Sequence, residues 1–178
     1  MQMADNSKVI ELEKLREGMP SVPPEFGACL AQAASVCLDD QGHPVGVEFN
    51  VSGDFEEKYE LHWEETTDQI RRCWNDYEVA TEHGAYGLAF LLVKNLTQFT
   101  VIERSRKGTG FDYWLGTEEQ LFKNKARLEV SGIRCGDERL IKARIKQKIN
   151  QTKPSDGALP AFIIVVEFSK PTSAMVKK

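Results

Sequence analysis

The run Ala161-Phe-Ile-Ile-Val-Val166 contains no polar residue and most constrains the fold. A short segment rich in β-branched side chains reads as a strand, and with no face to offer water it must be covered on both sides. The segment from about Glu78 to Asn95 makes the same demand as a helix. Its second half, including Leu88 to Val93, is apolar on nearly all sides and belongs at the centre of the molecule. Within it Gly84, Ala85 and Gly87 allow a neighbouring layer to approach closely. A strand and a helix that both require burial imply a layered α/β arrangement. At 178 residues and 41% hydrophobic content, the chain suits one domain with a real core. Neither apolar run approaches the ~20 residues of a membrane-spanning helix. Met1 to Met19 is acidic and shows no export signal. Cys29, Cys37, Cys73 and Cys135 contain no C-x-x-C pair, and His43, His62 and His83 form no spaced ligand set. A cytoplasmic protein with reduced thiols is the expectation.

Other elements follow from local signals. Met1 to Met19 reads as a short polar helix or a loose end, closed by Pro20, Pro23 and Pro24. Glu25 to Leu38 reads as a helix with proline at its start and Gly42 beyond its acidic end. Pro44 to Val51 alternates, with Val45, Val47, Phe49 and Val51 on one face, and a turn at Ser52-Gly53-Asp54 leads to a second alternating run, Lys58 to Trp63. Thr66 or Thr67 can cap a short helix carrying Ile70, Cys73 and Trp74. After the central helix come three segments of strand character, Phe99 to Glu103, Gly110 to Leu115 and Lys125 to Gly132. A basic helix from about Asp137 to Gln151 precedes the buried strand, Ala161 to Phe168, and Ile141, Ile145 and Ile149 form its core-facing stripe.

Charge is divided along this order. Residues 1–93 hold 6 Lys/Arg against 18 Asp/Glu, whereas residues 94–153 hold 14 against 7, within a net charge of −4. Either the basic half meets an anion, nucleic acid being the commonest large one, or the two halves neutralise each other in the fold.

Three carboxylates in the second half stand where chemistry can use them. Glu82 lies in the first turns of the central helix, Asp112 follows the glycine-rich Gly108-Thr-Gly110, and Glu129 lies mid-strand. Alternation puts Lys125, Arg127, Glu129 and Ser131 on one face of that strand, opposite Ala126, Leu128 and Val130. A charge between apolar neighbours needs a partner. One candidate is a divalent cation that polarises a phosphoryl oxygen and activates water. Structural pairing is the other: Glu129 with Arg127, Arg104 or a helix lysine, and Asp112 as the cap of the Thr109-Gly110 turn.

Helix with Glu82, strand, strand with Asp112, strand with Glu129-Val130-Ser131, basic helix, strand: over about residues 78–168 this order resembles the PD-(D/E)xK, or restriction-endonuclease-like, nuclease superfamily. The resemblance implies an α/β fold, an αβββαβ core with a mixed central sheet. An N-terminal helix and β-hairpin (1–65) would precede that core (66–178) in one domain. It implies Mg²⁺ or Mn²⁺ held by Glu82, Asp112 and Glu129, with the Val130 carbonyl also available. Gln147 and Gln151 are candidates for a glutamine that some branches carry on the following helix. The family lysine falls on Ser131, which has no charge to stabilise an attacking hydroxide or a pentavalent phosphorane. Lys125 and Arg127 share the strand face, and Lys142 or Lys146 can reach over from the basic helix. Lys125 and Lys146 accordingly join Asp112 and Glu129 as catalytic candidates.

Arg104, Arg106 and Lys107 precede the Asp112 turn and, with Lys142 and Lys146, are the expected phosphate contacts. The implied function is a metal-dependent nuclease hydrolysing phosphodiester bonds, DNA ranking ahead of RNA, with no membrane partner. The alternative is a catalytically inactive version that binds nucleic acid or serves as a protein-interaction subunit. No Gly-x-x-x-x-Gly-Lys-Ser/Thr loop and no Gly-x-Ser-x-Gly elbow occurs, which disfavours a nucleotide-driven motor and an α/β-hydrolase.

Overall fold

Eight strands share one mixed sheet in the computed structural model, which describes residues 8–157 and 159–178. In chain order the elements are β1 (Lys8–Glu11), α1 (Pro24–Asp40), β2 (Val47–Gly53), β3 (Glu57–His62), α2 (Asp68–Cys73), α3 (Tyr77–Leu96), β4 (Thr100–Arg104), β5 (Tyr113–Gly116), β6 (Ala126–Ile133), α4 (Glu138–Gln151), β7 (Ala161–Glu167) and β8 (Thr172–Lys177). Across the sheet the order is β1-β3-β2-β8-β7-β6-β5-β4. β4, β5 and β6 form an antiparallel meander, and α4 crosses over to place β7 parallel to β6.

The cap of α2 sits where the sequence places it, and α3 and α4 are capped in the same way. Thr67 Oγ1 accepts from Ile70 N at α2, the Asp76 carboxylate accepts from Glu78 N and Val79 N at α3, and Asp137 accepts from Leu140 N at α4. Each side chain satisfies amides that the first helical turn leaves free. α3 is buried at every position from Gly84 to Val93, and β7 at every one of its positions, as their apolar runs demand. α1 and α3 pack together on one face of the sheet, with Gly84 of α3 lying against the backbone of Ala34. Leu128, Val130, Phe162, Ile164 and Met175 point into this core. α4 lies over β6, β7 and β8 on the opposite face.

Four expectations need correction. Residues 1–7 lie outside the described residues. The rest of the N-terminal stretch is β1, paired parallel to β3, followed by a 3-10 turn at Leu12–Glu17, so it is no polar helix. Val45 falls before β2 and is exposed, while Phe49 and Val51 face inward. Asp112 stands one residue ahead of β5. Finally, β8 has no counterpart in the sequence reading. It pairs antiparallel with β7 and parallel with β2, and so joins the N-terminal hairpin to the later strands in one sheet. Among the described residues no helix is long and apolar enough to cross a membrane.

Candidate active site

β6 keeps the alternation of its sequence, and three polar side chains on its α4 face are buried. The Arg127 guanidinium donates to Thr152 O, Ser155 Oγ and Leu159 O and pairs with Asp156, which fixes the segment after α4. Two residues on, Glu129 is 1% exposed. Its Oε1 accepts from Lys148 Nζ at 2.5 Å and from Gln151 Nε2 at 3.0 Å, and its Oε2 is buried without a partner. Ser131 Oγ accepts from Arg144 at 2.7 Å. One turn of α4 thus separates the two cations, and each sits over its own residue of β6.

Asp112 reaches the same place through a sheet irregularity. β5 pairs with β6 only as far as Tyr113 opposite Leu128. The next two links come from Asp112 itself: its amide donates to Leu128 O, and its Oδ2 accepts from Val130 N at 2.8 Å. A carboxylate therefore takes the ladder position where the strand ends. Beyond it no strand among the described residues pairs with Ser131, Gly132 and Ile133 on that side, and alternation turns the Val130 carbonyl and the Gly132 amide toward this open edge. Gly110 makes the approach possible. It has φ +83°, and a Cβ there would lie 2.4 Å from Gln151 O, so only glycine seats the turn before Asp112 on the end of α4.

α3 closes the other side. Gly132 lies under Thr81, with room for a Cβ only 2.5 Å from Thr81 O. Glu82 and Tyr86, one turn apart, face the Asp112 region. Burial raises the Tyr86 phenol pKa, and the carboxylates of Asp112 and Glu82 beside it raise it further. The Tyr113 hydroxyl accepts from Arg104 at 2.6 Å. Burial, and next the charge of Asp112, push the Glu129 carboxyl up to about 7, against the pull of Lys148. Asp112 and Glu129 are thus in direct electrostatic contact, and Asp112 and Glu82 both act on the Tyr86 hydroxyl.

A cleft of about 500 Å³ opens along the free edge of β6 between α3 and α4. Glu82, Ser131, Arg144 and Lys148 line it, and Tyr77 and Leu140 line it farther along.

The expected cations are only partly at this site. Lys125 lies at the start of β6 beside Lys123, and Lys146 is exposed on α4; neither contacts Glu129. Lys142 pairs with Glu138 on the outside of α4. Arg104 folds back on Tyr113, and Arg106 and Lys107 are exposed on the turn ahead of Asp112. The cations that do meet the β6 face are Arg144 and Lys148; Lys148 is the helix lysine anticipated as a structural partner of Glu129, and neither was among the expected catalytic or phosphate-contacting residues. Of the two glutamines Gln151 reaches Glu129, whereas Gln147 is exposed. The signal was the spacing Leu140, Arg144, Lys148, Gln151, which places all four on one face of a helix.

Among the described residues no three Asp, Glu, His or Cys side chains converge as a ready metal cage. The donor set nonetheless suits a hard divalent cation. It offers carboxylate oxygens from Asp112, Glu129 and Glu82, and among the described residues the one buried carboxylate oxygen without a hydrogen-bond partner belongs to Glu129. A bound ion would compete with Lys148 for Glu129. Comparison with protein-family models and with curated proteins gives no match to this chain.

Proposed function

We propose that the chain is a divalent-metal-dependent nuclease with a restriction-endonuclease-like core, hydrolysing phosphodiester bonds in nucleic acid. One observation carries the reading: Glu129 is buried beside Asp112 with one carboxylate oxygen unpartnered and a lysine on the other. A purely structural glutamate at this depth would be expected to satisfy both oxygens. The order α3, β4, β5, β6, α4, β7, with Glu82 on α3, Asp112 just ahead of β5 and Glu129 on β6, supports the same reading.

Asp112, Glu129 and Glu82 would hold Mg²⁺ or Mn²⁺, with the Val130 carbonyl as a further oxygen. The ion, when bound, polarises the phosphoryl group and makes water a stronger nucleophile at neutral pH. Lys148 fills the role left vacant at Ser131. Its ammonium would turn from Glu129 to the developing charge on phosphorus-bound oxygen, and Arg144 would steady a neighbouring oxygen.

The test is cleavage of labelled DNA and RNA with Mg²⁺, Mn²⁺ or EDTA, for the wild type, Asp112→Asn and Glu129→Gln. Metal-dependent cutting lost in both variants is expected; cutting that either variant retains overturns the assignment. A second reading, an inactive fold that binds nucleic acid, draws on the Lys148–Glu129 ion pair already occupying one carboxylate oxygen. Salt-sensitive binding with no cutting under any metal would select it.

A further inference from the structure

The cleft beside the three acids changes character along its length, and the change follows the register of three elements. At the first level Glu129 meets Lys148, with Asp112 and Tyr86 adjoining. At the second, Ser131 meets Arg144 and Gly132 meets Thr81. At the third, Tyr77 and Leu140 line the cleft, and Tyr77 stands beside Arg134. Each step is one helical turn of α4, about 6 Å. The cleft therefore has Glu82 and Lys148 at one end, and Tyr77 and Leu140 beside the Asp40-paired Arg134 at the other.

The far end has the parts of a ring-binding seat. Tyr77 and Leu140 are 45% and 38% exposed, unusual for large apolar side chains that line a cleft. The Arg134 guanidinium lies 3.9 Å over the Tyr77 ring and pairs with Asp40, so one face of the ring is braced. Arg144, between the two ends, has only a neutral hydroxyl partner, and its charge is left unpaired among the described residues.

We propose that this end of the cleft seats one unpaired nucleobase, so that the chain engages nucleic acid at single-stranded nucleotides. The proposal rests on the nuclease reading for the acidic end. A nucleotide carries an anion and a flat, largely apolar ring a short distance apart, the same polarity as the cleft. Arg144 takes a phosphate and the Tyr77 ring stacks the base, with Leu140 against its edge. A base inside a duplex is already stacked on both faces and cannot enter, which makes the seat selective for unpaired nucleotides.

The test uses one labelled oligonucleotide, its blunt duplex and the same duplex with a single-stranded overhang, each as DNA and as RNA. Binding is read with Glu129→Gln protein, alone and combined with Tyr77→Ala, Tyr77→Phe or Leu140→Ser. Cutting is read with Mn²⁺ in otherwise wild-type protein. Cuts confined to unpaired nucleotides are expected, with single-strand binding weakened about tenfold by Tyr77→Ala and retained by Tyr77→Phe. Equal cutting within the blunt duplex, or Tyr77→Ala binding like its parent, overturns the seat. If cutting depends on Asp112 but not on Tyr77, the seat falls and the nuclease reading stands. If nothing is cut while ring-dependent single-strand binding persists, the nuclease reading falls and the seat stands. Loss of both binding and cutting overturns both.

Discussion

Glu129 on β6 and Glu167 on β7 are each 1% exposed, on neighbouring parallel strands of the same sheet. Their surroundings differ completely. Glu167 Oε1 accepts from Gly136 N, Ser169 N and Ser169 Oγ, and its Oε2 accepts from Lys170 N at 2.8 Å. That carboxylate ties the loop after β6 to the turn after β7 and has no oxygen left over. Glu129 has a lysine and a glutamine crowding one oxygen and no hydrogen-bond donor on the other, with the Asp112 carboxylate alongside. Burial alone therefore does not mark a functional acid. What separates the two is unsatisfied bonding capacity next to a second carboxylate and an open cleft.

Exchanging each acid for its amide should sharpen that contrast most. Glu129→Gln is expected to cut cleavage by about 10³-fold, the order associated with losing a group that stabilises transition-state charge. Its melting temperature should hold or rise, because a buried charge is removed while Lys148 keeps an acceptor. Glu167→Gln should do the reverse, costing about 3 kcal/mol of stability through lost charge-assisted hydrogen bonds and leaving activity per folded molecule intact. Denaturant unfolding alongside cleavage assays separates the two outcomes, and equal stability losses in both variants would break the comparison.

Lys148→Met comes next in size. It should slow cutting about 100-fold and cost about 3 kcal/mol in alkaline solution, where Glu129, whose carboxyl is already pushed up to about 7, would be charged and unpaired. Combining it with Glu129→Gln should recover most of that stability, which a double-mutant cycle reads directly. Added Mn²⁺ is a smaller lever. At 100 times its dissociation constant it should stabilise the wild type by about 2.7 kcal/mol, and EDTA should reverse the gain. Glu129→Gln should show little of it, Glu167→Gln all of it. Lys142→Ala should change neither rate nor melting temperature measurably, since its pairing with Glu138 is an exposed pair on the outer side of α4.

Much of this arrangement is legible in the sequence, for physical reasons that also mark where legibility stops. β7 and α3 read clearly because nothing polar interrupts them, and burial of Glu129 follows from its apolar neighbours on a short strand. The identity of its cation does not follow. On α4 the Ile141, Ile145 and Ile149 stripe has two flanks, Lys142 with Lys146 on one side and Arg144 with Lys148 on the other. At about 100° per residue the two flanks lie at equal angles from the stripe. Only the packing decides between them: the Lys148 flank meets β6, while Lys142 lies in the groove toward β8. β8 escaped for another reason. Thr172-Ser-Ala-Met-Val-Lys177 has few of the bulky residues that announce a strand, and its order comes from neighbours on both sides.

That unremarkable strand sets the pace at which the chain can reach its final form. β2 and β3 can pair from nearby sequence, with β1 joining later, and β4 to β6 can pair locally as well. The two sets meet only when β8 lies between β2 and β7, a pairing in which Thr172 Oγ1 reaches Asn50 O across 122 positions of sequence. Closing so long a loop is entropically slow, and until it closes the outer edge of β8, already paired to β7 through a short turn, stands open to other chains. Yield on refolding should therefore depend on protein concentration, and the seam at β8 is where crowding would do its damage.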